Sequence, residues 1–122
     1  DTEFLNRTFT RIDQSIAMSA LFIAHHMGVK AIVALTQSGA TALWMSRLDS
    51  GVPIYALTPE ESTRRRLTLY REVHPMLLET ENKLLEAKVV ENGDLVVITI
   101  GDPIGKSGGT NSLTIVRIGE KS

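Results

Sequence analysis

Near the start of the chain, apolar residues recur at helical spacing. Ile12, Ile16, Ala20, Ile23 and Met27 form one stripe, and Ala17, Leu21 and Ala24 widen it. Asp13 is placed to cap a helix beginning near Gln14, and Gly28 is a natural C-terminal stop. The pattern then changes. Ala31-Ile32-Val33-Ala34-Leu35 is apolar at every position, as a strand buried on both faces requires. A polar stretch, Thr36 to Thr41, leads into a helix predicted from Thr41 to Ser50 and closed by Gly51.

A second short apolar strand is predicted from Pro53 to Leu57. Thr58-Pro59-Glu60-Glu61 then reads as a helix start, with Thr58 as cap, Pro59 at the first helical position and Glu61 completing a capping box. That helix is expected to reach about Arg71. Val73 to Leu78 reads as a third strand, which Pro75 places toward a sheet edge. Glu81 to Lys88 reads as helical, Asn92-Gly93-Asp94 as a turn, and Leu95 to Ile100 as a strongly β-forming run. A glycine-rich loop from Gly101 to Asn111 precedes a final alternating strand, Leu113 to Ile118. The order is α-β-α-β-α-β-α-β-β, with five strands. Alternating strands and helices imply a mostly parallel sheet covered on both faces. The connection between the last two strands is too short for a helical crossover, so the last strand should pair antiparallel and the sheet is mixed. One domain, residues 1–122, is the simplest organisation.

Composition narrows the function classes. The 122 residues contain no cysteine, which excludes disulfides, thiolate metal sites and a cysteine nucleophile. A net charge of -1 argues against a nucleic-acid or membrane-surface binder. The N-terminus, Asp1-Thr2-Glu3-Phe4, has no secretory signal character, and without an initiator Met it reads as a processed or excised piece. The longest apolar stretch, Ile16 to Ala24, is broken by Ser19 and too short for a bilayer. A soluble, cytoplasmic protein is expected.

The candidate chemistry lies in two loops. Thr36-Gln37-Ser38-Gly39-Ala40-Thr41 sits between the carboxyl end of a buried strand and the start of a helix, where open α/β sheets bind ligands. Hydroxyls of Thr36, Ser38 and Thr41, N–H groups around Gly39 and the positive helix end favour a phosphate there. An ordinary capped strand-to-helix turn uses the same residue types. The loop is not a Walker A motif, because no Gly-Lys-Ser/Thr follows. In the glycine-rich loop, Lys106, Ser107 and Gly108 could close over an anion, although glycines also serve hairpin geometry. If the first strand and the Leu95–Ile100 strand are neighbours, both loops face one pocket.

Other residues carry less. His25 and His26 are adjacent on a helix and make a poor metal pair. His74 precedes a proline, Arg64-Arg65-Arg66 points in several directions, and Trp44 reads as core or interface. No catalytic acid, base or metal cluster converges.

Taken together, these segments resemble a known family. Residues Ala31 to Ala42 look like the first strand and effector loop of the pyruvate kinase C-terminal domain. The resemblance continues through Ser46-Arg47, Gly51 to Thr58, Leu69 to Pro75, Asn92 to Gly101 and Gly109 to Leu113. Ser15 to Ala20 looks like the helix that enters this domain in bacterial enzymes. The resemblance implies a three-layer α/β/α sandwich with a five-stranded mixed sheet. It implies no catalytic residue and no metal ligand in this segment, since catalysis, magnesium and potassium belong to a separate TIM-barrel domain. It implies a regulatory role, with Thr36, Gln37, Ser38, Gly39, Ala40 and Thr41 holding the phosphate of an allosteric effector and Lys106, Ser107 and Gly108 in the second effector loop.

The final strand, with Leu113, Ile115 and Arg117, matches a strand at a subunit interface of the homotetramer. The family usually carries a longer helical segment between the positions of Thr80 and Glu81. Its shortness here favours a sugar monophosphate or AMP over a bisphosphate. A stand-alone phospho-ligand-binding module of the same fold, without a catalytic partner domain, is the competing reading. The length of the natural open reading frame separates the two.

Overall fold

The computed structural model describes residues 12–35, 45–48, 51–57, 74–101 and 110–120. The first element, α1 (Ile12–Met27), buries Ala17, Ala20, Leu21 and Ala24, three of them small enough to let the helix lie close on the sheet. It begins at Ile12, slightly earlier than the sequence pattern suggests. Asp13 therefore lies inside the first turn, where its carboxylate accepts the Gln14 N–H at 2.9 Å. A negative group there complements the helix dipole, as His25 and His26 do when protonated in the last turn. Gly28 ends the helix at φ 65°, a left-handed conformation that costs glycine little.

Strand β1 (Ala31–Leu35) is buried at all five positions. It lies between two parallel partners. Ile32 is level with Ile54 of β2 (Ile54–Leu57) and with Val97 of β3 (Leu95–Gly101). Strand β4 (Thr110–Arg117) pairs antiparallel with β3, giving a four-stranded sheet in the order β2-β1-β3-β4 among the described residues. The expected antiparallel last pair is present.

Each face of this sheet carries its own apolar cluster. On one, Ile32, Ala34 and Val97 meet Ala17, Ala20, Leu21 and Ala24 of α1, together with Met45. On the other, Ala31, Val33, Leu35, Val96, Ile98 and Ile100 meet Leu84 of α2 (His74–Glu86), with Val90 and Ile118. The alternation of side chains along β1 and β3 sorts these residues onto their faces.

Two expectations fail here. The third strand predicted over 73–78 and the separate helix predicted over 81–88 are, from His74 to Glu86, one helix, α2. Pro75 falls in the first turn, where a missing N–H breaks no intrahelical bond. Leu77, Thr80 and Leu84 then recur at helical spacing, with Thr80 and Leu84 buried. Without that strand, four strands remain among the described residues, not five. The final strand also differs. It starts at Thr110, not Leu113, because the β3–β4 ladder continues to a Gly101–Thr110 pair past an irregularity at Ile100/Gly101. The loop predicted over 101–111 therefore shortens to 102–109.

Of the helix predicted over 41–50, the described part is helical at 45–46 and turns at 47–48, where the Leu48 N–H donates to the Met45 carbonyl at 3.0 Å. The helix predicted from Thr58 to Arg71 lies outside the described residues. The Asn92-Gly93 turn is present and is tied to the last strand. The Gly93 N–H donates to the Ile118 carbonyl at 2.8 Å, and the Ile118 N–H to the Asp94 carbonyl at 2.8 Å.

Candidate functional site

Strand order decides where a ligand can sit. From β1 the chain passes to β2 on one side, and from β2 it returns across β1 to β3 on the other. Met45, on the first connection, is buried in the α1-side cluster. Leu84 of α2, on the second connection, is buried in the opposite cluster. The chain therefore reverses direction at β1. In open α/β sheets such a reversal leaves a crevice outside the carboxyl ends of the two diverging strands, here β1 and β3.

The register fixes the rim of that crevice. Ala34 of β1 is level with Thr99 of β3, so Leu35 and Ile100 reach the rim together. Residue 36 follows directly on β1, and residue 102 directly on β3. The two sequence-predicted loops thus leave from neighbouring parallel strands about 5 Å apart. The condition set by the sequence, that these strands be neighbours, is met. Thr36, Gln37, Ser38, Gly39, Ala40, Thr41, Lys106, Ser107 and Gly108 themselves lie outside the described residues.

What the structure does show of this rim is polar. The Ser112 hydroxyl donates to the Ile100 carbonyl at 3.1 Å. Thr110 is buried where the ladder closes. Thr99 is wholly buried, and its Oγ1 has no hydrogen-bond partner. An unpaired buried hydroxyl costs about 1–3 kcal/mol, so its presence asks for a reason. Sequence reasoning misses Thr99, because a threonine inside Leu95–Ile100 fits a β-forming run as well as valine does.

The opposite rim holds an open cavity of about 390 Å³, lined by Lys30, Leu85, Lys88, Val89, Val90, Glu91 and Asp94. Its charges are mixed, and the Asp94 carboxylate already accepts the Glu91 N–H at 3.0 Å. Nothing there selects one ligand class.

The three residues assigned to a subunit interface lie on β4, which pairs only with β3 among the described residues. Leu113, Ile115 and Arg117 stand opposite Thr99, Val97 and Leu95, and so share the α1 face. Leu113 packs on the core, while Ile115 is 41% exposed. Arg117 is engaged within its own chain, donating to the Gly93 carbonyl at 2.8 Å and lying 3.6 Å from the Glu120 carboxylate.

The remaining candidates are dispersed. His25 and His26 are exposed on α1, their ring centroids 4.9 Å apart in an edge contact, and Phe22 lies 4.2 Å from His26. His74 lies in α2, away from both. Trp44 and Arg64 to Arg66 lie outside the described residues. Among the described residues, no three of His, Asp and Glu gather as a metal site, and no helix is long and apolar enough to cross a membrane.

The fold and rim define an α/β domain with an open mixed sheet and a switch-point crevice at its carboxyl edge. Comparison with known proteins gives this class a family. The family described as pyruvate kinase, alpha/beta domain, matches residues 14–116, and the chain belongs to it. A pyruvate kinase of Buchnera aphidicola (subspecies Schizaphis graminum) is 40% identical over 126 residues, covering 93% of this chain and 26% of its own length. Pyruvate kinase II of Salmonella typhimurium is 37% identical, with the same 93% and 26% coverage. A crystal structure of a pyruvate kinase from Cryptosporidium parvum superposes with a TM-score of 0.72 at 23% identity. It matches 92% of this chain and 24% of its own, which supports the fold. The chain thus spans about a quarter of the length of the relatives it matches, as their C-terminal part.

Proposed function

We propose that this chain is the regulatory and oligomerisation domain of a pyruvate kinase. The full enzyme would transfer phosphate from phosphoenolpyruvate to ADP, giving pyruvate and ATP, in the cytoplasm. Catalysis would fall to a separate domain that also holds magnesium and potassium, and no step of this proposal passes through a metal in the present chain. The observation that carries the regulatory reading is the shared rim of β1 and β3 at the point where strand order reverses. From that rim depart a Thr/Ser-rich segment, Thr36 to Thr41, and a Gly-rich segment containing Lys106, Ser107 and Gly108. Hydroxyls, backbone N–H groups and one ammonium suit the oxygens of a single phosphate.

The effector class is a sugar monophosphate or AMP. Support comes from the chain's shortness. The alignment with the Buchnera enzyme spans 126 positions, more than the 122 residues of the whole chain, so the relative carries residues missing here. Here α2 runs from His74 through Thr80 and Glu81 without interruption, leaving no place for the longer segment that would serve a second phosphate.

Apolar clusters on both sheet faces favour the three-layer α/β/α arrangement for the complete domain. For assembly, the reading is a homotetramer in which β4, with Leu113, Ile115 and Arg117, lies at a contact between subunits. Effector binding would bias an existing equilibrium between states of different substrate affinity, by no more than its own preference for one of them.

The test is the full-length enzyme with Thr36→Ala and Ser38→Ala combined. Loss of two hydroxyl contacts should raise the half-activating concentration of glucose 6-phosphate or AMP at least about tenfold, while activity at saturating substrate stays within about twofold. An unchanged half-activating concentration refutes the assignment.

A further inference from the structure

Thr99 occupies a place where a hydroxyl is costly and a methyl is not. The residue is fully buried, and Oγ1 finds no hydrogen-bond partner. Its neighbours across the ladder are Ala34 of β1 and Leu113 of β4, neither of which offers a polar side chain. Valine has almost the same shape, fits a β-strand equally well and carries no group to satisfy. A threonine here therefore bears the desolvation penalty of an unmade hydrogen bond in the free protein.

Its position gives that penalty a use. Thr99 lies two residues before Gly101, so about 7 Å of strand separates it from the rim of the crevice. It is level with Ala34, one residue before β1 ends. It shares a sheet face with Val97, Ala34 and the buried side of α1, the same face onto which Met45 packs after the chain has left β1. The orphan hydroxyl thus sits under the point where the two strands diverge, on the side to which the first connection turns.

We infer that Thr99 is a positioning residue for the phospho-ligand crevice, its hydroxyl making a hydrogen bond when the crevice is occupied that it does not make when empty. The inference rests on the crevice being the effector site. A hydrogen bond present only in the occupied state adds to ligand affinity and couples occupancy to the packing of β3 against α1. The polar group that meets Oγ1 belongs to the ligand or is brought to it by the ligand. In both cases the contact is absent from the free-state ladder.

The experiment uses the full-length enzyme as wild type, Thr99→Val and Thr99→Ser, with glucose 6-phosphate and AMP as probes. Two quantities are read, the half-activating probe concentration and the melting temperature without probe. Thr99→Val should raise the half-activating concentration about three- to tenfold, the effect of one neutral hydrogen bond. Its melting temperature without probe should equal or exceed that of the wild type. Thr99→Ser, which keeps the hydroxyl, should stay within about twofold of wild type.

A Thr99→Val enzyme activated at the wild-type concentration overturns the inference and leaves the crevice assignment standing. The same holds if Thr99→Ser responds like Thr99→Val, or if Thr99→Val melts several degrees lower without probe, which would mean the hydroxyl is already partnered in the free protein. A wild-type enzyme that neither probe activates overturns the effector reading itself.

Discussion

The two ends of the sheet are built on different principles. At the amino end, where β1 and β3 begin, main-chain polar groups are paired within the chain. The Lys30 N–H donates to the Leu95 carbonyl at 2.9 Å, and Gly93 and Ile118 bond across the Asn92-Gly93 turn. The Gly119 N–H reaches the Glu81 carboxylate of α2 at 3.1 Å. Arg117 closes the same corner through the Gly93 carbonyl. At the carboxyl end, the strands stop in hydroxyl- and glycine-rich sequence, the ladder is irregular at Ile100/Gly101, and Thr99 carries an unpaired hydroxyl. One end commits its polar groups to the fold and the other keeps them for something else. That division is the expected one for an open α/β sheet, whose ligands gather at the carboxyl ends of the strands.

The comparison is sharpest where a substitution should move one property and spare the other. The largest stability effect belongs to neither rim but to the strand that joins them. Ile32 is fully buried between Ile54 and Val97 and packs on α1. Ile32→Ala should cost about 3–4 kcal/mol through lost burial and a residual cavity, read by urea unfolding. A loss below about 1 kcal/mol would mean the centre of the sheet is not the rigid link between the two ends.

Next in size is Gly119, at the amino end. Its φ of 84° is left-handed, and an added Cβ would lie 2.6 Å from the Asn92 side-chain oxygen. Asn92 is exposed and can move, so the clash can be relieved in part, but the backbone strain cannot. Gly119→Ala should therefore destabilise by about 1–2 kcal/mol. In the full-length enzyme it should leave the half-activating effector concentration within about twofold, because the carboxyl rim is untouched. A Gly119→Ala enzyme that kept its stability and lost its effector response would invert the division between the two ends. The Thr36 and Ser38 pair is the mirror case, with a large effect on the effector response and a stability change below about 1 kcal/mol.

Legibility in the sequence follows the same division. Strand β1 is readable because five consecutive apolar residues between polar flanks are too few for a buried helix and suit a strand covered on both faces. The Asn92-Gly93 turn is readable because its residue types match the backbone it adopts. Helix α2 is deceptive at its start. Five residues around Pro75 are too few for the two periods to differ, and the helix is recognisable only when Thr80 and Leu84 are counted with Leu77. The early start of β4 is also hidden, since Thr110 and Asn111 carry no apolar alternation and are ordered by backbone pairing to β3. The chemistry of the site is visible as residue types. Its convergence depends on β1 and β3 being neighbours, which is a property of topology. Thr99 gives no signal, because its penalty appears only once its neighbours are known.

The smallest expected effect on the fold tests the edge of the sheet. Ile115 lies on β4, is 41% exposed, and faces the α1 side beside half-buried Leu113. An exposed isoleucine contributes little to the stability of its own chain, so Ile115→Lys should change unfolding free energy by less than about 0.5 kcal/mol. A lysine on a strand edge is also a common way to block pairing with another copy. If β4 lies at a contact between subunits, the same substitution should shift the full-length enzyme toward smaller species in sedimentation velocity, at concentrations where the wild type stays assembled. It should also flatten the effector response, since cooperative activation needs coupled subunits. A fully assembled Ile115→Lys enzyme with normal activation would remove β4 from the interface and leave the rim assignment intact, because Ile115 is level with Val97, well below the crevice.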